Sequence, residues 1–119
     1  MLLAAKVLIG LVIFIHIYIV LLETVLFQTR GRKVFGLTQE KADIVRPAMS
    51  NQGCYNGFLA AALVLGFVLP DAATGRAFTI YGLACVAVAG IWGAVTVQIR
   101  ILFVQTVPAA LALGALFLA

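Results

Sequence analysis

Between Val7 and Leu22 the sequence reads Val-Leu-Ile-Gly-Leu-Val-Ile-Phe-Ile-His-Ile-Tyr-Ile-Val-Leu-Leu, interrupted only by His16 and the Tyr18 hydroxyl. A helix that is apolar on every side has no face to offer water. Taken from about Leu2 to Phe27, the run is long enough to cross a hydrocarbon layer of about 30 Å. In lipid the backbone must satisfy its own polar groups, which leaves helices or a closed barrel.

Composition decides between a bilayer span and the core helix of a soluble protein. Of 119 residues, 65% are hydrophobic and 10% charged, against about 25% charged in soluble domains. Too few polar groups remain to cover a wet surface. The first 28 residues resemble a signal peptide, but no small-x-small cleavage site follows, so a retained helix is expected.

The expected fold is all-α: an integral membrane four-helix bundle forming one transmembrane domain over 1–119. Helix 1 covers about 2–27. An interfacial segment, 29–46, holds five of the eight basic residues. Within it Thr38 can cap a short amphipathic surface helix with Glu40 in its first turn. Pro47 is expected to end that helix and open helix 2, about 47–69. Pro70, Asp71 and Gly75 mark a turn before helix 3, about 77–97. A tight turn at 98–100 leads to helix 4, about 101–118.

The loop between helices 1 and 2 has Arg30, Arg32, Lys33, Lys41 and Arg46, and the 3–4 turn has Arg100. Only Lys6 and Arg76 lie on the other side. The positive-inside rule then places both termini outside the cytoplasm. The net charge of +4 reads as topology, so no nucleic-acid partner is expected. Cys54 and Cys85 would differ in depth by about 10 Å, too far for a disulfide. With a single histidine they make no metal site, and no cofactor motif appears.

Against this apolar background one octapeptide stands out: Asn51-Gln-Gly-Cys-Tyr-Asn-Gly-Phe58. Amides are costly in hydrocarbon unless each finds a partner. Counted from the cytoplasmic ends of the helices, Glu23, Asn51–Asn56, Trp92 and Gln105 all fall about 6–13 Å deep. On a helical wheel Gln52, Tyr55 and Asn56 share one side, with Asn51 at its edge. Gly53, Gly57 and Ala61 form a small-residue ridge opposite, suited to close helix contact. Glu23 must pair with a cation, Arg100 being the candidate, or keep its proton. His16 lies seven residues before Glu23 on the same face. Tyr18 points elsewhere and reads as an ordinary apolar contact. Pro108 lacks an N–H and frees the Val104 carbonyl, so an irregular backbone is expected beside Gln105.

The pattern resembles the small bacterial membrane proteins grouped as domain of unknown function 1304. The residues that carry the resemblance are His16, Glu23, Gly31-Arg-Lys-Val-Phe-Gly-Leu37, Asn51-Gln-Gly-Cys-Tyr-Asn-Gly-Phe-Leu-Ala-Ala61, Arg100-Ile-Leu102, Gln105 and Pro108-Ala109. Where that family usually has Gln-Gly-Pro, this chain has Gln105-Thr-Val-Pro108, which removes a glycine that a close helix contact would use. The resemblance implies a four-helix protein of the bacterial inner membrane and no particular activity.

Three functions fit these residues. In the first, Glu23 and His16 do acid–base work on a small amphipathic or lipid-like molecule. Asn51, Gln52, Tyr55, Asn56, Trp92, Arg100 and Gln105 would line its pocket. In the second, Glu23 drives a proton-coupled transporter acting as a dimer. In the third, the amides are interhelical glue in a non-catalytic accessory or scaffold subunit. Expected partners are membrane lipids, such a ligand, and a second copy of the chain.

Overall fold

The structure, a computed structural model, describes residues 1–118 and contains five α-helices and no strand among them. The first, α1, runs Leu3–Glu23, about 31 Å. Beyond it the backbone widens. Leu26 N–H bonds Leu21 O at 2.9 Å, five residues back, and Gly31 N–H bonds Leu26 O at 2.8 Å. Phe27–Gly31 is thus a π-helical segment, and the helix expected to reach Phe27 is regular only to Glu23. Gly31 is required there: a Cβ on it would lie 2.1 Å from Leu22 O.

A single turn, α2 (Arg32–Val34), follows. It closes with Leu37 N–H on Arg32 O and Gly36 N–H on Lys33 O, the paired bonds of a Schellman stop. Gly36 takes the φ of +67° that this stop needs. Thr38 then caps the next helix, its Oγ1 accepting from Lys41 N–H at 3.2 Å, with Glu40 in the first turn.

That helix, α3, runs unbroken from Gln39 to Val68. Pro47 does not divide it into a surface helix and a span, as the sequence suggested. Proline at this point removes only the bond to the Asp43 carbonyl. Asp43, Arg46 and Pro47 are all exposed.

Asp71 starts α4 (Ala72–Thr96), accepting from Thr74 N–H at 3.0 Å and from the Thr74 hydroxyl. These two bonds hold its exposed carboxyl below the usual aspartate value. The helix begins five residues before the expected Ala77 because Gly75 is not a turn residue. It is buried on α4, where an added Cβ would sit 2.9 Å from Gly66 O. After the turn at 97–99 comes a second π-helical segment, Leu102–Thr106, and then α5, Val107–Phe117, with Pro108 in its first turn. The irregular backbone expected beside Gln105 is this wide turn.

The chain divides into two compact units: Met1–Ile15 with Leu59 onward, and His16–Phe58. In the first, Ile9, Val12, Leu63, Leu83, Val86, Ala109 and Ala112 form the core. The buried positions of α4 are Gly75, Thr79, Gly82, Leu83, Val86 and Gly90, one face at helical spacing. Most are small, so neighbouring backbones approach closely, as helices do where van der Waals contact drives association. The opposite faces carry large apolar groups in the open: Leu3 is 76% exposed and Val95 82%.

Two helices, α1 and α4, are long and apolar enough to cross a membrane, and only 28% of each apolar window is buried. The apolar stretch Leu102–Phe117 is shorter. In α3 the amides of Asn51, Gln52 and Asn56 dilute the apolar half.

Candidate functional site

The unit His16–Phe58 is built on the crossing of α1 and α3. The inward positions of α3 here are Ala42, Gly53 and Asn56, with Val45, Met49 and Gly57 half-buried, again a three-four spacing. Gly53 makes the close approach possible. A Cβ there would lie 2.7 Å from Thr24 Cγ2 and 3.2 Å from Glu23 Cβ. Thr24 is fixed in turn, because its hydroxyl donates to Val20 O at 2.6 Å.

One turn beyond Gly53, Asn56 Nδ2 donates to Glu23 Oε1 at 2.6 Å. Both residues are 6% exposed. Glu23 Oε2 accepts no bond among the described residues, and no cation of this unit pairs with the carboxyl. The site is therefore a buried carboxyl–amide pair with one oxygen satisfied by a neutral donor. His16, fully buried, lies about 10 Å back along α1.

The octapeptide does not act as a unit. Asn56 belongs with Gly53 and Gly57 on the packing side. Asn51, Gln52 and Tyr55 are exposed, and Tyr55 rests edge-on against Phe58, with ring centroids 5.7 Å apart. At about 100° per residue Asn56 stands only about 60° from Gly53. It sits on the border of two faces, and the carboxyl draws it inward. In the other unit Trp92 and Arg100 are exposed and Gln105 is half-buried. Thr106 beside it donates to Ala87 O at 2.9 Å. A Cβ on Gly90 would meet Thr106 Oγ1 at 2.1 Å. The close contact for which Gln105-Thr-Val-Pro108 has no glycine is made with the glycine on α4 instead.

Two polar clusters escaped the sequence reading. Gln39 Nε2 donates to Gln28 Oε1 at 2.8 Å and to Asp43 Oδ1 at 2.9 Å, and Gln28 Nε2 reaches the same Asp43 oxygen at 3.2 Å. This exposed triad ties the first π-helical segment to the start of α3. Tyr18 is more than an apolar contact: Arg30 Nε donates to its hydroxyl, and the guanidinium lies 5.7 Å from its ring centroid. Helical spacing sets Gln39 over Asp43, four apart on α3, but it does not reveal Gln28 or Arg30, whose bonds bridge an irregular turn. Among the described residues no group of three or more His, Cys, Asp or Glu is placed to hold a metal.

Among the described residues these features define an all-helical protein with apolar outer faces and one buried acid–amide pair. The chain belongs to the family described as protein of unknown function (DUF1304), whose model matches residues 10–117. No curated protein and no solved structure matches it.

Proposed function

We propose that this chain is a multi-pass membrane protein, a four-helix bundle with both termini outside the cytoplasm, in which Glu23 exchanges a proton with a small amphipathic or lipid-like molecule. The observation that carries the reading is the Glu23 carboxyl itself. It is buried in a chain only 10% charged and held by one neutral amide. Ionisable groups kept inside a membrane are costly and usually functional. Asn56 orients the carboxyl through Oε1 and leaves Oε2 for the proton. The low burial of α1 and α4 favours lipid-facing helices over the core helices of a soluble protein.

A second reading has its own support. Gly53 brings α1 and α3 so close that the acid–amide pair can serve as an interhelical clamp. Glu23→Gln separates the two, because a glutamine carbonyl still accepts from Asn56 but cannot exchange a proton. Acid–base function predicts an unchanged melting temperature in detergent and loss of a co-purifying amphipathic molecule by native mass spectrometry. An unchanged set of bound molecules in Glu23→Gln, together with a lower melting temperature in Glu23→Leu, which removes the acceptor for Asn56, would establish the clamp and sink the acid–base reading.

A further inference from the structure

Arg30 does not extend into water as a loop arginine usually does. Its Nε donates to the Tyr18 hydroxyl and its guanidinium lies over the Tyr18 ring. Tyr18 stands five residues before the last residue of α1, about 7 Å back along the helix. Arg30 therefore folds back over the apolar surface of α1, against the ordinary tendency of such a group to seek the aqueous side.

The bond through Nε fixes the plane of the guanidinium and leaves its outer edge available. Nη1 and Nη2 donate to nothing among the described residues, and Arg30 is exposed. One turn to either side of Tyr18 on the same helix face, Phe14 is 69% exposed and Leu21 39%. The result is a planar, doubly donating cation anchored over an open apolar strip. Around it, residues 29–46 hold four further basic side chains and two acidic ones, Glu40 and Asp43.

We infer that Arg30 and Tyr18 form a binding site for an anionic phospholipid. The guanidinium edge takes two phosphodiester oxygens in the bidentate geometry that arginine favours. An acyl chain runs from there deeper along α1, over Phe14. Tyr18 supplies preorganisation: hydrogen bond and ring face hold the cation where it would otherwise be mobile. The inference rests on the reading of α1 as a membrane-embedded helix. A free phosphate ion would use the same donors but gain nothing from the apolar strip, so the site is assigned to a lipid.

The test uses the full chain in detergent, titrated with phosphatidylglycerol and followed by native mass spectrometry. Wild type should bind one phosphatidylglycerol about tenfold more tightly than Arg30→Gln, the loss expected for a charge-assisted pair. Tyr18→Leu should match Arg30→Gln. Tyr18→Phe, which keeps the ring and the fold, should fall between them and wild type. Arg46→Gln, an exposed cation elsewhere in the basic segment, should bind as wild type does. Arg30→Gln binding as wild type would overturn the site, as would displacement of the lipid by inorganic phosphate or equal affinity for phosphatidylcholine. Carbonate extraction of membranes separates the two levels. Release of wild type would overturn the membrane reading and the site with it. Retention together with unchanged Arg30→Gln binding would overturn the site alone.

Discussion

Replacing Gly53 by alanine tests how the buried acid is held. The added Cβ would lie 2.7 Å from Thr24 Cγ2, against an optimal carbon–carbon separation of about 3.5–4.0 Å. The threonine methyl cannot swing aside cheaply, because its rotamer is set by the 2.6 Å bond to Val20 O. Relief then comes from parting α1 and α3 by about 1 Å. That displacement would take the 2.6 Å Asn56–Glu23 bond to the limit of hydrogen bonding, about 3.5 Å. Overpacking costs about 1–3 kcal/mol, and loss of the bond about 1 kcal/mol. The better helix propensity of alanine returns about 1 kcal/mol. The net expectation is a destabilisation of about 1–3 kcal/mol, read from thermal or denaturant unfolding in detergent. Thr24→Ser keeps the bond to Val20 and removes the methyl, so Gly53→Ala in that background should recover most of the loss. Gly10→Ala is the control: nothing lies within 4 Å of its new Cβ, and it should be neutral or stabilising. If Gly53→Ala is as stable as Gly10→Ala, or if Thr24→Ser brings no recovery, the close-contact argument is wrong.

Gly90→Ala should be harder to accommodate, because its Cβ would meet Thr106 N at 2.7 Å as well as Thr106 Oγ1. Trimming the side chain with Thr106→Ser cannot move a backbone nitrogen, so the double variant should stay destabilised in the same unfolding assay. Asp71→Asn should alter the pH dependence of stability. The folded Asp71 carboxyl titrates below its ordinary range because Thr74 donates to it. Its contribution is present above the unfolded value and lost as pH falls through the folded value. The variant should melt lower than wild type at neutral pH, with the gap closing in acid; a gap independent of pH would contradict the capping account.

The helical class was legible in the sequence because an uncharged run such as Val7–Leu22 has few alternatives. Glu23 and Asn56 stood out in the sequence because an acid and an amide in such a chain demand partners. Their pairing with each other was not. Asn56 sits at the border of two faces, and helical periodicity cannot say which way a border residue turns. Pro47 and Gly75 misled for a shared reason. Each is a common breaker, yet each is tolerated inside a helix when the local environment removes its cost. For Pro47 that environment is exposure; for Gly75 it is the backbone of Gly66. The Arg30–Tyr18 contact depends on how a π-helical turn redirects the chain, and no spacing rule encodes that.

The two wide turns, Phe27–Gly31 and Leu102–Thr106, also bear on how this chain can change length. A π-helical turn accommodates one residue more than an α-turn. Deleting a residue from an ordinary helix rotates everything beyond it by about 100° and takes the packed face out of contact. Deleting one from a wide turn can instead relax it to α geometry and leave both flanks in register. Each segment is thus a reserve of slack, a place where the chain can lose a residue while its helices stay aligned. In the first segment Gly31 stands apart from that freedom, since any other residue there would press on the Leu22 carbonyl.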